Sequence, residues 1–143
     1  MRKATDSMGN PREGALSWRL MATPTLLLVD DDRFVRHLLR DAIQESGLEV
    51  RLLEAADGRE GLEVAAREKP SLMLLDLFMP RCSGLEVLSL VKQSSPDTRV
   101  LIISSMDADP VVQQALSAGA VGFVGKPFHP LEIALAVRQA LAH

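Results

Sequence analysis

The middle of the chain carries the segment LMLLDLFMPRCSG, residues 72–84, whose apolar run stops at one carboxylate, Asp76. Pro80 and Gly84 then mark a loop. A run of about four to eight apolar residues bounded by turn formers is typical of a strand buried on both faces, as in a parallel sheet. Ligands bind at the carboxyl ends of such strands, which is where Asp76 stands. Because a strand-ending Asp is often only a turn former, its function depends on partners from the remaining chain.

Composition predicts one globular domain without a nucleic-acid or membrane function. Of the 143 residues, 47% are hydrophobic and 24% are charged, which is typical of a soluble protein with its own core. The net charge of -3 offers no basic surface to nucleic acid. No apolar segment approaches the roughly 18 residues of a membrane span, and no signal-type apolar region follows Arg2 and Lys3. The single cysteine, Cys82, fits a reducing compartment. We therefore expect a cytoplasmic protein.

Residues 1–23 differ from everything that follows them. They mix glycine, proline and scattered charges, and neither helical nor strand periodicity runs through them. We predict a disordered or loosely attached extension that precedes one domain at residues 24–143. Trp18, the only tryptophan, could dock on a surface. Two interpretations stay open: a native extension, or sequence that lies upstream of a start at Met21.

From Thr25 onward, short apolar strands alternate with amphipathic helices. The predicted strands are residues 26–29, 50–55, 72–75, 100–103 and 121–124, and a helix follows each. In the first helix the apolar residues fall on one face: Phe34, Val35, Leu38, Leu39, Ala42 and Ile43. Five β-α units with short, right-handed connections predict an α/β fold. We expect a flavodoxin-like, doubly wound, five-stranded parallel sheet in the order 2-1-3-4-5, with five helices.

Glycine, proline and aspartate predict where these elements end. Gly47 and Gly119 suit the C-terminal ends of the first and fourth helices. Asp57–Gly58 predicts a turn, and the second helix should end before Pro70. Asp109–Pro110 predicts an N-cap followed by proline at the first helical position.

Polar residues follow four of the five predicted strands. They are Asp30, Asp31 and Asp32 after the first strand, Asp76 after the third, Ser104 and Ser105 after the fourth, and Lys126 after the fifth. Each of these residues could have a purely structural role, since the aspartates could cap a helix, the serines could form a turn and the lysine could be solvated. In the predicted strand order, however, all four strand ends meet along one edge of the sheet. Their coincidence there favours a functional site.

The chemistry available to such a cluster is narrow. Carboxylates held close together repel one another unless a cation joins them. Mg²⁺ is the natural cation, because it prefers oxygen ligands and is usually bound by one or two carboxylates together with phosphate oxygens. A carboxylate can attack phosphorus to form an acyl phosphate, while a lysine and the metal neutralise charge on the transferred group. The residues therefore suit phosphoryl transfer to a carboxylate.

The segments Val29–Asp31, Asp76–Pro80 with Gly84, Ser104–Ser105 and Lys126–Phe128 resemble the motifs of bacterial two-component response regulator receiver domains. The likeness extends, in the family's order and spacing, over the whole predicted domain. It implies a signalling phosphoprotein rather than a conventional enzyme, one that takes a phosphoryl group from a sensor histidine kinase or a phosphotransfer protein.

Individual residue roles are implied by the resemblance alone. They are the phosphoryl acceptor at Asp76, Mg²⁺ ligands at Asp30, Asp31, Asp76 and the Phe78 backbone carbonyl, a phosphoryl contact at Lys126, and a switch pair at Ser104 and Phe123. In the family, phosphorylation remodels the face formed by the fourth helix, fifth strand and fifth helix. The last helix of this chain is apolar nearly all round, which exceeds one core-facing stripe. We therefore predict a homodimer through that face.

Two positions, Phe78 and Asp32, are variable in the family. The apolar side chain of Phe78 cannot position an attacking water, so we hypothesise that it shields the phosphoryl group. Asp32 is interpreted as a helix cap only. Cys82, in the loop after the acceptor, is interpreted as incidental.

Other functions fit the sequence less well. A haloacid-dehalogenase-type phosphatase needs a second aspartate where Phe78 stands. A flavin- or nucleotide-binding domain needs a phosphate loop after the first strand, where three aspartates would repel phosphate. A degenerate receiver that acts as a phosphorylation-independent docking module is the alternative that we retain. A stand-alone receiver and the receiver part of a longer regulator both fit this sequence.

Overall fold

Strands and helices alternate in the computed structural model, which describes residues 23–105 and 109–142. The strands are β1 (Thr25–Val29), β2 (Arg51–Ala55), β3 (Leu72–Asp76), β4 (Arg99–Ser105) and β5 (Gly122–Lys126). The helices are α1 (Arg33–Glu45), α2 (Gly58–Glu68), α3 (Gly84–Ser94), α4 (Asp109–Ser117) and α5 (Pro130–Ala142). A small hairpin of Phe78–Met79 and Cys82–Ser83 lies between β3 and α3. The predicted N-terminal extension falls, apart from Thr23, on residues outside the described ranges.

The five long strands form one parallel sheet in the order β2-β1-β3-β4-β5. This confirms the predicted flavodoxin-like, doubly wound α/β fold and its strand order. The order reverses between β1 and β3, so the ends of these two strands lie side by side at the point where such sheets bind ligands. None of the helices within residues 23–105 and 109–142 is long and apolar enough to cross a bilayer.

Both faces of the sheet are buried, because alternate residues of the central strands enter two separate apolar cores. One core packs α2, α3 and α4 against the odd-numbered side chains of β1 and β3, such as Val29 and Leu75. The other packs α1 and α5 against the even-numbered ones, such as Leu28 and Leu74. Four of the five residues of β3 are apolar and all five are buried. The strand that ends at Asp76 is therefore fixed by packing on both sides.

Several element boundaries differ from the sequence prediction. β4 and β5 run two residues past their predicted ends, so Ser104, Ser105 and Lys126 lie inside strands rather than in the loops after them. The reason is their mutual pairing, which continues to Ser105 opposite Lys126. The turn predicted at Asp57–Gly58 is the beginning of α2, where the Asp57 side chain accepts a hydrogen bond from the Glu60 N–H.

Other helix ends agree with the prediction or differ by one residue. Gly47 and Gly119, with φ angles of +80° and +109°, follow α1 and α4 in the left-handed conformation that favours glycine. α2 ends at Glu68, before Pro70. Asp109, predicted as the N-cap of α4, is instead the first residue of that helix, a shift within the usual uncertainty of helix ends.

Gly84 fixes the position of the loop that follows β3. Its N–H donates to the Leu77 carbonyl at 3.1 Å. A Cβ added there would lie 2.5 Å from the Leu77 Cα and 2.8 Å from the Asp76 carbonyl oxygen. These are backbone atoms of the segment that carries Asp76, so a side chain at position 84 would push that segment aside.

We expect Gly84→Ala to lower the free energy of unfolding by about 2 kcal/mol, because an added methyl group meets backbone that cannot move without disturbing β3. Urea unfolding of the two proteins measures the difference. Gly122→Ala is the matched control, since its Cβ would meet only the flexible Leu101 Cδ1, at 3.2 Å. Equal stabilities of the two variants would contradict this account of Gly84.

Candidate functional site

Three carboxylates meet at the edge of the sheet where β1 and β3 end. One ligand oxygen each from Asp30, Asp31 and Asp76 lies within 4.8 Å of the others. Asp30 and Asp76 are 1% and 6% exposed, whereas Asp31 is open to solvent. The structure therefore brings together the three aspartates that the sequence predicted as metal ligands, and leaves one side of the group accessible.

The donor set of this cluster fits Mg²⁺. All three groups are carboxylates, which are the hard oxygen ligands that Mg²⁺ prefers. Like charges this close repel one another, and a divalent cation relieves that repulsion. Asp30, Asp31 and Asp76 would hold such an ion, and the exposed side of Asp31 leaves room for water and a phosphate oxygen.

Lys126 lies beside the two buried carboxylates. Its Nζ donates to the Asp30 Oδ2 at 2.9 Å and lies 3.5 Å from the Asp76 Oδ2. The lysine is the last residue of β5, and the Lys126–Pro127 peptide bond that follows it is cis. The end of β5 thus places the positive charge of Lys126 beside the buried carboxylates of Asp30 and Asp76, which would be destabilising without a cation.

The pKa values of Asp76 and Lys126 are both raised. The shift disfavours the ionised form of the aspartate but favours the charged form of the lysine. Burial raises the pKa of Asp76 above its usual value, and the charge of Asp30 raises it further, against the lowering effects of the Phe78 N–H and Lys126. Burial alone would lower the pKa of Lys126, but its hydrogen bond and charge interactions with Asp30 and then Asp76 raise it overall. Lys126 is therefore a fixed positive charge beside a carboxylate of increased basicity.

The loop after β1 separates the roles of the three consecutive aspartates. The Asp30 Oδ1 accepts the Asp32 N–H at 2.8 Å, which turns the chain at the strand end. The Asp32 Oδ1 accepts the N–H groups of Phe34 and Val35 at 2.8 and 3.4 Å. This confirms the prediction that Asp32 caps α1, and it leaves Asp31 as the exposed carboxylate of the cluster.

Phe78 contacts the site through its backbone. Its N–H donates to the Asp76 Oδ1 at 3.1 Å, while the side chain is 52% exposed. The predicted contribution of its carbonyl to metal binding stays a prediction. Beside this loop, a cavity of about 580 Å³ opens next to Asp31, with Asp57 and Arg81 among its lining residues, so the accessible side of the cluster faces open space.

Ser104 and Phe123 lie on the adjacent strands β4 and β5. The Ser104 hydroxyl is fully buried and has no hydrogen-bond partner among the described residues. Such an unsatisfied buried group is uncommon in folded proteins. Phe123 is partly buried against the core that α2, α3 and α4 cover. Phe123 pairs with Ile102, and Gly125, two residues further along β5, pairs with Ser104.

Sequence reasoning did not find Arg36, which also contacts the site. Its Nη1 donates to the Asp30 carbonyl oxygen at 2.6 Å, and its Nε donates to the Glu54 Oε1 at 2.9 Å. A charged residue on the first turns of an amphipathic helix carries no sign of such a contact. The available signal was Glu54, a carboxylate within an otherwise mostly apolar predicted strand.

Comparisons with known sequences show the family of this chain. The family model described as the response regulator receiver domain matches residues 26–138. The chain is 33% identical over 114 residues to the chemotaxis protein CheY of Thermotoga maritima, an alignment that covers 80% of this chain and 94% of CheY. It is 40% identical over 116 residues to the response regulator MprA of Mycolicibacterium vanbaalenii, covering 81% of this chain but only 49% of MprA. The chain therefore spans about half the length of this relative.

Solved structures agree with the sequence comparisons. The response regulator domain of Thermotoga maritima CheB superposes with a TM-score of 0.76 at 31% identity, covering 85% of this chain and 98% of that one. The signal receiver domain of the putative response regulator NarL from Mycobacterium tuberculosis superposes with a TM-score of 0.77 at 34% identity, covering 84% and 97%. By its sequence and its fold, the chain belongs to the response regulator receiver domain family.

Proposed function

We propose that Asp76 accepts a phosphoryl group, in a Mg²⁺-dependent reaction, from a cytoplasmic sensor histidine kinase or phosphotransfer protein. The observation that carries this proposal is the meeting of Asp30, Asp31 and Asp76 within 4.8 Å. Proteins of those two kinds are the partners of receiver domains, which are signalling modules rather than conventional enzymes.

In this reaction a carboxylate oxygen of Asp76 forms a bond to phosphorus as the bond from phosphorus to the donor's imidazole nitrogen breaks. The released imidazole nitrogen keeps the bonding electron pair and takes up a proton. Bound Mg²⁺ supplies charge neutralisation at the phosphoryl oxygens. Lys126, 2.9 Å from Asp30 and 3.5 Å from Asp76, supplies a second positive charge to the transferred group.

Burial supports Asp76 as the nucleophile. The carboxylate is only 6% exposed and its pKa is raised, mainly by burial, which makes the ionised group a stronger nucleophile than a solvated aspartate. Its position at the end of a strand packed on both faces holds it in place for attack.

Ser104 and Phe123 form the proposed switch. The buried Ser104 hydroxyl, unsatisfied within the described part of the chain, is free to donate to a phosphoryl oxygen on Asp76. Movement of Ser104 would leave space for the Phe123 ring. Phosphorylation thus alters the surface made by α4, β5 and α5.

We expect the wild-type protein to gain the mass of one phosphoryl group when it is incubated with acetyl phosphate and Mg²⁺. Asp76→Asn should gain none, because an amide oxygen is a poor nucleophile. Asp31→Asn should lose the Mg²⁺ dependence and most of the rate, since the exposed ligand of the cluster is weakened. Intact mass spectrometry measures all three.

Asp32→Asn is the matched control for this experiment. It removes an adjacent negative charge, but asparagine caps a helix about as well as aspartate does, so its phosphorylation should equal that of the wild type. If the folded wild-type protein gains no phosphoryl group with Mg²⁺ present, the phosphorylation-independent docking module becomes the better description.

Phe78→Asn should accelerate hydrolysis of the phosphorylated protein several-fold. The substitution replaces an apolar side chain beside the acceptor with an amide that can orient water. Loss of the phosphoryl group with time, followed by mass spectrometry, gives the rate. Phe34→Asn, which alters another exposed phenylalanine, on α1, should leave the rate unchanged. A change of less than about twofold in Phe78→Asn would remove the side chain from the mechanism.

We further propose that phosphorylation produces a homodimer through α4, β5 and α5. α5 buries Ile133, Ala134, Val137 and Ala140. On its exposed side, Leu131 and Leu135 are 60% and 54% exposed. Exposed leucines one helical turn apart form an apolar strip that a second copy could cover.

Leu135→Glu should keep the phosphorylated protein monomeric, because a charge would be buried in the proposed interface. Size-exclusion chromatography with light scattering measures the mass before and after treatment with acetyl phosphate. Leu90→Glu, on an exposed position of α3, is the control and should dimerise as the wild type does. A wild-type protein that stays monomeric in both states would refute the dimer.

A further inference from the structure

Arg36 joins the peptide between Asp30 and Asp31 to the neighbouring elements of the fold. Its Nη1 donates to the Asp30 carbonyl oxygen at 2.6 Å. On the other side of the same residue, the Asp30 N–H donates to the Ala55 carbonyl at 3.3 Å. The backbone of Asp30 is therefore held at both its polar groups, from α1 on one side and from β2 on the other.

Glu54 in turn fixes the direction of the Arg36 guanidinium. The Arg36 Nε donates to the Glu54 Oε1 at 2.9 Å, and Arg40 donates to the Glu54 Oε2 through its Nε, also at 2.9 Å, and through its Nη2. Arg36 and Arg40 are one turn apart on α1, so the carboxylate of β2 lies between two arginines. A planar guanidinium bonded at two of its nitrogens has little rotational freedom.

The negative charge of Glu54 limits the positive charge that Arg36 and Arg40 bring close to the proposed cation site. Burial by itself would raise the pKa of Glu54, but the hydrogen bonds and charges of Arg40 and Arg36 hold it below its usual value. Glu54 is thus ionised at neutral pH and offsets part of the positive charge of the arginines. Without that carboxylate, two cations would stand close to the three aspartates.

The orientation of the Asp30–Asp31 peptide decides where both side chains point. Asp30 is buried toward Lys126, at 2.9 Å, whereas Asp31 is exposed and its oxygen completes the group of three carboxylates. A rotation of this peptide would move the Asp31 oxygen away from Asp76. Residues that orient metal ligands in this way commonly change metal affinity by about 10–100-fold when they are removed.

We propose that Arg36, aligned by Glu54, is a positioning residue for Mg²⁺ binding at Asp30, Asp31 and Asp76. This inference rests on the proposed function, since it concerns the same site. It adds a residue outside the motifs that identified the family, and it acts through the Asp30 carbonyl rather than by contact with the metal.

Calorimetric titration of the full chain with Mg²⁺ tests this proposal. Arg36→Gln should weaken Mg²⁺ binding about tenfold, as loss of a residue that orients a ligand does. The sign of the change is informative, because removal of a positive charge near a cation site would by itself strengthen Mg²⁺ binding. Equal or tighter binding by folded Arg36→Gln would overturn the proposal.

Arg40→Gln is the matched control. It removes the same charge from the same carboxylate but leaves the contact between Arg36 and the Asp30 carbonyl, so its Mg²⁺ affinity should stay within about twofold of the wild type or increase. If Arg40→Gln lost as much Mg²⁺ affinity as Arg36→Gln, the proposal would also be overturned. The loss would then follow from removing any arginine on this face of α1 and not from the contact with the Asp30 carbonyl.

Arg36→Lys covers the case in which Arg36→Gln does not fold. It keeps the charge but cannot bond Glu54 and the Asp30 carbonyl through one rigid plane, so it too should bind Mg²⁺ several-fold more weakly. Wild-type affinity in Arg36→Lys would overturn the positioning role. A folded wild-type protein that binds no Mg²⁺ would overturn the proposed function together with this inference, whereas normal wild-type binding with unchanged variants overturns this inference alone.

Discussion

The structure depends on the placement of two buried carboxylates next to each other. Asp30 and Asp76 are almost fully buried, at adjacent strand ends, and an isolated charge in such a place is strongly unfavourable. Lys126 contacts both of these carboxylates and neutralises part of their charge. One cation cannot, however, neutralise all three carboxylates of the acidic group. The remaining negative charge supports the proposed binding of a divalent cation, and the exposed Asp31 leaves one side of the group open to solvent.

The sheet supplies the rigidity that this arrangement requires. β3 is buried on both faces, so packing fixes the position of Asp76 before any charge interaction is considered. Gly84 lets the following loop approach the backbone of Asp76 and Leu77 closely. Arg36 and Glu54 hold the Asp30 backbone from the other side. Each of the two buried carboxylates is therefore supported by a separate part of the fold.

The sequence predicted the fold and the members of the acidic group because both follow from long-range regularities. Alternating β-α units imply the strand order, and that order brings Lys126 to Asp30 across a separation of 96 residues. Strand ends were less predictable, since β4 and β5 continue through Ser105 and Lys126 only because they pair with each other. The contact of Arg36 with the Asp30 carbonyl could not be predicted, because a surface-type charge on a helix has many possible partners within reach.

The alternation of side chains along the strands separates the site into two halves. Asp30, Asp76 and Lys126 continue the even-numbered series of Leu28, Leu74 and Val124, which faces the core under α1 and α5. Ser104 continues the series of Val100 and Ile102, which with Phe123 belongs to the opposite core under α2, α3 and α4. This separation explains why the Ser104 hydroxyl is left without a bond from Lys126. A phosphoryl group on Asp76 would extend beyond the strand end, where oxygens can be reached from both sides of the sheet. It would thereby connect the charged half, where we propose that transfer takes place, to the uncharged half that lies under α4. The proposed switch would then have a physical route from Asp76 to the surface.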